Sequence, residues 1–547
     1  MKQLTLQLSP SHACSPDAVT QAAANALGMP ARDIYGVRIK KRSVDARQRD
    51  IHVLLTVDVA MTAEELQLPA YPKPVFADVR KAERQVIIIG AGPAGLFAAL
   101  TLLEHGIRPV IIERGKDVSE RKRDIAALNR NEGMVCDSNY CFGEGGAGTF
   151  SDGKLFSRSK KRGDMQRVLE LFHYFGAPDS VLYETHAHIG SDRLPGIIRR
   201  MRETIIEHGG EIHFGEKATG IDYQPSGKGM VVATGNGVEY HGETVILTIG
   251  HSAHDTYRML AAQGVTLEPK GFAAGVRVEH PQALINRLMY HLGKDKGLTT
   301  NNRERLVEQI GNASYALRTQ VGGRGVYSFC MCPGGHIVPA GSDRQGIVVN
   351  GMSASHRNSP FANSGIVVEL HPEDIIKGKR KKEKGSTAEA LECLDWLEQL
   401  ERLSLEHGAF AAGQPDSAIA PAQRLSDFVE GRRSADLPKT SYLPGCRSSR
   451  LDLWLPPVIG RSLQQGFRDF GRKYPGFLTK DAVILGVESR SSSPIRIPRD
   501  PDSLQAFRVK GGTLPLYPCG EGAGYAGGIT SSALDGINTA MAIISQR

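Results

Sequence analysis

For a chain of 547 residues this sequence has few cysteines. None of the eight stands in a C-x-x-C pair or in a double pair of zinc type. That excludes a disulfide-stapled scaffold and a zinc module, and it suits a reducing compartment. His186-x-His188 lacks a third ligand nearby, so no metal site is expected. The opening MKQLTLQLSP lacks the apolar core of a signal peptide, which leads to an expected cytoplasmic location. The apolar run from Val86 to Leu103 is broken near its start by three glycines and a proline, which argues against a membrane span. A global excess of one charge is missing too. The net charge of +8 sits in two runs, Arg38–Arg49 and Lys377–Lys384, each worth +5, which leaves −2 for the rest. Basicity is local, as in solvated loops, and aromatic residues for base stacking are scarce in both runs.

What the sequence does contain is organised around Val86 to Arg114. Val86–Ile89 is a β-branched run with the length of one buried strand. Gly90, Gly92 and Gly95 follow as G-x-G-x-x-G. The first glycine permits a tight turn, the second lets backbone approach a pyrophosphate, and the third lets the next helix pack on the strand. Ala94–His105 has the composition of that helix, with Pro93 before it, so its N-terminal amides would face phosphates. Pro109–Ile112 supplies a second strand. Glu113 ends it, 18 residues after Gly95, where a carboxylate can hold both hydroxyls of an adenosine ribose. An unphosphorylated ribose, as in FAD or NAD, is thereby favoured over NADP. Arg114 adds a charge beside it.

The remainder divides into modules. Residues 1–65 read as a small α/β domain in β-α-β-β order, of ferredoxin-like kind. Strands are expected at Leu4–Leu8, Ile34–Ile39 and Ile51–Val59, and Ser15-Pro16 opens a helix that Gly28 stops. Prolines 69, 72 and 74 mark a linker over 66–82. Residues 83–265 hold the nucleotide-binding domain, 266–478 an inserted α+β domain, and 479–547 the return segment with a terminal helix from Ile529 to Ile544. Within the first part, Cys141–Leu155 (CFGEGGAGTFSDGKL) is too rich in glycine and hydroxyl residues for a core. It suits a loop whose amides meet phosphate or flavin, and it nominates Gly146, Gly148, Thr149, Ser151, Gly153 and Lys154. Ala218, Gly250, Gly520, Glu521, Gly528 and Ile529 are further cofactor candidates. Inside the insertion, Ser386-Thr387-Ala388-Glu389 is a capping box that opens a leucine-striped helix, with Gly408 as its expected stop.

With Gly90–Gly95, Glu113-Arg114, Gly250 and Gly520-Glu521 in this order, the chain resembles two-domain FAD flavoproteins of the glutathione-reductase type. More narrowly it is similar to a bacterial family of FAD-dependent dehydrogenases whose substrate is unassigned. That likeness rests on SVDAR (43–47), FGEGGAGTFSDGKL (142–155), HIGSDRL (188–194), FCMCPGGHIVPA (329–340), ESRSSSPIRI (488–497) and YPCGEGAGYAGGITSSALDG (517–536), and it covers nearly the whole chain. It implies a Rossmann-like, ββα three-layer FAD domain and non-covalent FAD, with Glu521 where the superfamily usually has an aspartate on the ribityl chain. No second G-x-G-x-x-G is read as marking a separate NAD(P)H domain, so NAD(P)H is expected only as a transient electron donor. Cys136 and Cys141 have the C-x-x-x-x-C spacing of disulfide reductases but precede the glycine loop in a polar stretch, so they are discounted.

The chemistry is expected near the C-terminal helix, whose N-terminal amides beneath the flavin would stabilise its reduced anion. Cys330 and Cys332, alternate residues on a strand before Pro333-Gly334-Gly335, can act as a redox pair or simply fill a core. Arg490 and Arg496 are candidates for a carboxylate or phosphate on the substrate, and equally for salt bridges to the FAD phosphates or across the domain interface. His251 and His254 are candidate acid–base groups. The reading is an FAD-dependent oxidoreductase acting by hydride transfer on a small molecule between the FAD and inserted domains. The alternatives are a tRNA-binding or tRNA-modifying flavoprotein and a non-enzymatic flavin redox sensor.

Overall fold

The computed structural model describes residues 1–48, 50–66, 73–156, 163–224, 229–292, 300–376 and 385–546. Its central sheet is parallel and five-stranded, in the order Leu516–Pro518, Thr244–Leu247, Gln85–Ile89, Arg108–Glu113, Glu211–Phe214. The strand period of two sorts the apolar run onto two faces: Val86 and Ile88 join one buried cluster, Ile87 and Ile89 another. On the first face pack the helices Pro93–Glu104, Leu194–Glu207 and Ile529–Ser545, through residues such as Leu96, Ile197 and Ala533. On the second lies an antiparallel meander of Ala218–Gln224, Gly229–Thr234 and Glu239–Gly242, which contributes Met230 and Val232. Helices, parallel sheet and meander make three layers. Both faces of the middle sheet are covered, which is why its strands read as unbroken apolar runs.

Between Thr244–Leu247 and Leu516–Pro518 the chain builds a mixed seven-stranded sheet. Its order is Arg318–Val321, Arg324–Cys332, Phe361–Leu370, Phe272–Pro281, Val483–Glu488, Ala420–Arg424, Cys446–Ser448. The helix Pro457–Lys473 covers one face through Leu463, Phe467 and Phe470. The helix Thr387–Leu405 starts on Ser386, whose Oγ accepts the Glu389 amide while the Glu389 carboxylate accepts from the Ser386 amide. Its apolar face is shared: Ala390 and Leu394 pack with the parallel-sheet body, Cys393, Leu397 and Leu400 with the mixed sheet. The expected stop at Gly408 is a correction. The turns continue through Glu406–Phe410 with wider, π-type spacing. A Cβ on Gly408 would lie 2.3 Å from the Ile419 carbonyl oxygen, so this glycine serves close packing and not a left-handed cap.

At the N-terminus three antiparallel strands, in the order Lys2–Leu8, His52–Ala60, Gly36–Asp45, carry the helix Pro16–Leu27 through Val19, Ala23 and Ala24. Among the described residues no fourth strand pairs with them. The second strand does not end at Ile39 as the polarity suggested. It bulges between Ile39 and Lys41 and stays in the ladder to Asp45, because a half-solvated sheet tolerates charge on its outer face. Lys40 and Lys41 are exposed. Arg42 instead docks this module: its amide donates to the Tyr183 carbonyl (2.9 Å) and its guanidinium meets Glu184 at 2.8 Å. The basic run 377–384, Arg49, Pro69 and Pro72 lie outside the described residues. No described helix is long and apolar enough to cross a membrane.

Candidate functional site

One cleft of about 710 Å³ opens where the parallel sheet meets the mixed sheet, at the carboxyl ends of the parallel strands. That is where open α/β sheets bind ligands. Its floor is the turn after Gln85–Ile89. Gly90 takes φ +107°, in the left-handed region, and its amide donates to the Ile112 carbonyl at 2.8 Å. A Cβ on Gly95 would stand 2.1 Å from the Gly90 carbonyl oxygen, so the helix Pro93–Glu104 reaches the strand only because that position is glycine. Gly92, Pro93 and Ala94 line the cleft, as do Gly528 to Ser532 at the start of Ile529–Ser545. Two helix N-termini therefore face one space, and both favour negative charge in it.

Glu113 organises this floor. One carboxylate oxygen accepts the Ala91 amide at 2.8 Å; the other accepts the amides of Gly115 at 2.9 Å and Gly143 at 3.0 Å. The carboxylate thus ties the dinucleotide turn to the glycine loop, beyond the ribose role the spacing suggested. Gly145 donates to the Ala91 carbonyl (2.8 Å) and adds a second tie. Gly146, Gly148, Ser151, Gly153 and Lys154 line the cleft. Thr149 does not; it is buried, its hydroxyl donating to the Glu144 carbonyl at 2.8 Å. Arg114 borders the cleft, stacks on Phe142 and pairs with Asp255 at 3.0 Å. Burial opposes ionisation of Asp255, but Arg114 and Lys217 outweigh it and hold its carboxyl below the usual range. Ala218 and Gly250 also face the cleft.

At the far wall, Glu521 lies 3.9 Å from the His251 ring. Burial pushes the Glu521 carboxyl up to about 7, with Lys270 opposing. Burial, then Arg490, pushes the His251 imidazole down to about 3, so it stands neutral at pH 7 and is no ready proton donor. Gly520 supports the wall from behind, its amide donating to Asp535 at 2.8 Å. Arg490 borders the cleft, but its guanidinium is bound bidentate by Glu401 at 3.0 and 2.8 Å, so its carboxylate partner is internal. His254 points elsewhere, its ring bonded to Glu398 at 3.0 Å. Cys330 lines the cleft; Cys332 lies buried just behind.

Several participants carried no signal in the sequence. Glu216 lines the cleft with one buried carboxylate oxygen that lacks a partner. Asp152 holds Lys154 at 2.9 Å and Arg357 at 2.6 Å. Arg277 and Glu488 form a fully buried pair at 2.9 Å under the cysteines. G-x-G-x-x-G also recurs by letter at 143–148, in the glycine loop, and at 522–527, between the strand Leu516–Pro518 and the helix Ile529–Ser545.

The glycine cradle, the paired helix N-termini and the unpartnered Glu216 oxygen fit a dinucleotide cofactor, and fold and site together define an FAD-binding α/β protein. Residues 83–130 match the family model of an FAD-binding domain, and residues 271–491 match that of the FAD-dependent protein, C-terminal domain-like. A domain model of unknown function matches residues 1–60. An uncharacterized protein of Clostridium beijerinckii is 37% identical over 535 residues, 95% of this chain and 94% of that protein. The chain belongs to the family of that protein, and its cofactor is FAD. Solved structures align more remotely. CtdE in complex with FAD is 12% identical over 84% of each chain, with a TM-score of 0.31. The halogenase PltM is 11% identical over 55% of this chain and 53% of its own (TM-score 0.29). Lactococcus lactis thioredoxin reductase is 17% identical over 31% of this chain and 36% of its own (TM-score 0.18).

Proposed function

We propose that this protein is an FAD-dependent oxidoreductase that moves a hydride to or from a small organic molecule held between the parallel-sheet body and the mixed sheet. The carrying observation is the single cleft that runs from the dinucleotide turn to the wall of Cys330, Met331 and Asn350. Gly92, Ala94 and the glycine loop would hold the phosphates, and the N-terminus of Ile529–Ser545 would face the redox-active end. A bound flavin supplies the two-electron chemistry. The chain's own part is to hold that end beside the N-terminal dipole of Ile529–Ser545, and to place Glu521 as the group able to exchange a proton near neutrality.

NADH or NADPH would act as a transient donor at the open face of the cleft. The test is the absorbance spectrum of the purified protein, followed by anaerobic mixing with each nicotinamide. Flavin bands that bleach within seconds identify a nicotinamide-driven reductase. Bands that persist, and bleach instead with a metabolite, identify a dehydrogenase reduced by its own substrate. Absence of flavin bands after reconstitution with FAD overturns the reading.

A further inference from the structure

The inner wall of the cleft carries a feature that FAD binding does not require. The strand Arg324–Cys332 pairs with Phe361–Leu370, and between Phe329↔Gly365 and Cys332↔Asn363 two residues oppose Ser364 alone. This is a β-bulge, and its first residue is Cys330 at φ +48°, left-handed backbone that a side-chain-bearing residue adopts only when its surroundings impose it. A regular strand would have put both cysteines on one face at strand spacing. The bulge instead turns both sulfurs onto one cation: Lys154 Nζ lies 3.8 Å from Cys330 Sγ and 3.7 Å from Cys332 Sγ. Arg277 adds a second, donating to the Cys330 carbonyl at 2.7 Å and approaching Cys332 Sγ at 3.5 Å. Both cysteines are free thiols. A cleft-facing sulfur and a buried one, both set on a lysine that comes from the glycine loop with Arg277 fully buried behind, are more than core filling requires, since apolar side chains would fill the same space without a buried guanidinium.

We propose that Cys330 and Cys332 are a redox pair that exchanges with a small disulfide entering the cleft, Cys330 attacking and Cys332 resolving. This deepens the proposed oxidoreductase and rests on it for the source of reducing equivalents. The Cys330 thiolate attacks one sulfur of RSSR; the S–S bond breaks and RS⁻ leaves, taking a proton from water. Cys332 gives its proton to water, and its sulfur attacks Cys330 Sγ, expelling a second RS⁻ that is protonated in turn. One disulfide is reduced to two thiols and the cysteine pair is oxidised to one disulfide, with nothing left over. The electrostatics agree with this division of labour. The hydrogen bond from Cys332 lowers the Cys330 thiol most; burial opposes this, and Lys154 and Arg277 lower it further. The shared hydrogen bond and burial raise Cys332. Asp152, Glu488 and Glu521 are the negative groups facing the pair.

The test uses the full chain, with and without FAD, exposed to bis(2-hydroxyethyl) disulfide, quenched in acid, treated with N-ethylmaleimide and cut with trypsin. Residues 325–344 form one tryptic peptide that contains these two cysteines and no other. The expected peptide carries no maleimide and is two hydrogens lighter. In Cys332→Ser it should carry one hydroxyethylthio group on Cys330. In Lys154→Met, iodoacetamide labelling of Cys330 at pH 7 should slow about tenfold, one unit of thiol pKa. A wild-type peptide that takes two maleimides while exposed Cys14 and Cys136 form adducts overturns the proposal, as does a Cys332→Ser peptide without an adduct. Peptide oxidation in a protein without flavin bands would refute the oxidoreductase reading and leave the pair standing. Flavin bands with an inert pair would do the reverse.

Discussion

Replacing Glu113 with glutamine separates two accounts of how this family holds its cofactor. If the carboxylate served chiefly the ribose hydroxyls, Gln would still accept and donate hydrogen bonds there, and FAD affinity would fall little. The structure gives Glu113 three backbone amides, from Ala91, Gly115 and Gly143, at 2.8 to 3.0 Å. A glutamine has one acceptor oxygen, so its NH₂ must face at least one of those N–H groups. The best orientation keeps Gly115 and Gly143 on the oxygen and turns the NH₂ on Ala91. One charge-assisted bond is then lost, about 1.5–3 kcal/mol, and the other two weaken from charged to neutral. A loss of about 3 kcal/mol in the ordering of the two loops corresponds to roughly a hundredfold rise in the FAD dissociation constant. Titration of the apo-protein by quenching of FAD fluorescence measures it, and thermal unfolding without FAD reports the same loss in the loops. A Glu113→Gln protein that binds FAD within about threefold of wild type would refute the reasoning.

Gly95→Ala puts a Cβ 2.1 Å from the Gly90 carbonyl oxygen, and backbone cannot yield as a flexible side chain does. A destabilisation of about 3 kcal/mol and loss of copurified flavin are expected, read from urea midpoints and the absorbance spectrum. Arg490→Met strands the Glu401 carboxylate, whose pair with Arg490 is buried to 4% exposure on each side; about 3–5 kcal/mol should be lost in chemical denaturation. His251 and Glu521 should give stability slopes of opposite sign. The His251 ring falls from 6.5 to about 3 on folding, so the unfolded chain binds more protons between those values, and stability drops as pH falls from 6.5 towards 3. Glu521 rises from 4.5 to about 7, so the folded chain binds more protons, and stability drops as pH rises from 4.5 to 7. His251→Asn should flatten the first slope and Glu521→Gln the second, in denaturant titrations of the FAD-free protein over that range.

What the sequence disclosed about this site depended on how local each signal was. The turn at Gly90, the helix from Pro93 and the strand ending at Glu113 follow from spacing alone, because sterics and period act within a few residues. The capping box at Ser386 was legible for the same reason. Gly408 was misleading because glycine ends a helix by left-handed backbone and also permits close approach, and a sequence does not say which is needed. Arg490 shows a different limit. Its side chain and its chain position left a ligand contact and a salt bridge within the protein equally open, and the partner is Glu401, 89 residues earlier on another element. A buried ion pair is a long-range fact, and neither half announces the other.

The bulge at Cys330 is the clearest case. Alternation along Arg324–Cys332 correctly led to two sulfurs on one side, but by the wrong geometry, since the register slips there and the residue in left-handed backbone is not glycine. Nothing in FCMCPGG specifies that slip; it is imposed by the ladder to Phe361–Leu370 and by Arg277, which holds the Cys330 carbonyl. The strain therefore sits where Lys154 can reach both sulfurs, and Lys154 belongs to the glycine loop that Glu113 ties to the dinucleotide turn. A single chain of contacts joins the cofactor floor to the thiols, so Glu113→Gln should disturb both. Labelling of Cys330 by iodoacetamide should slow in that variant even before FAD is added. If it labels at the wild-type rate while FAD affinity falls, the loop carries the cofactor but does not set the cysteines, and the two halves of the cleft are built independently.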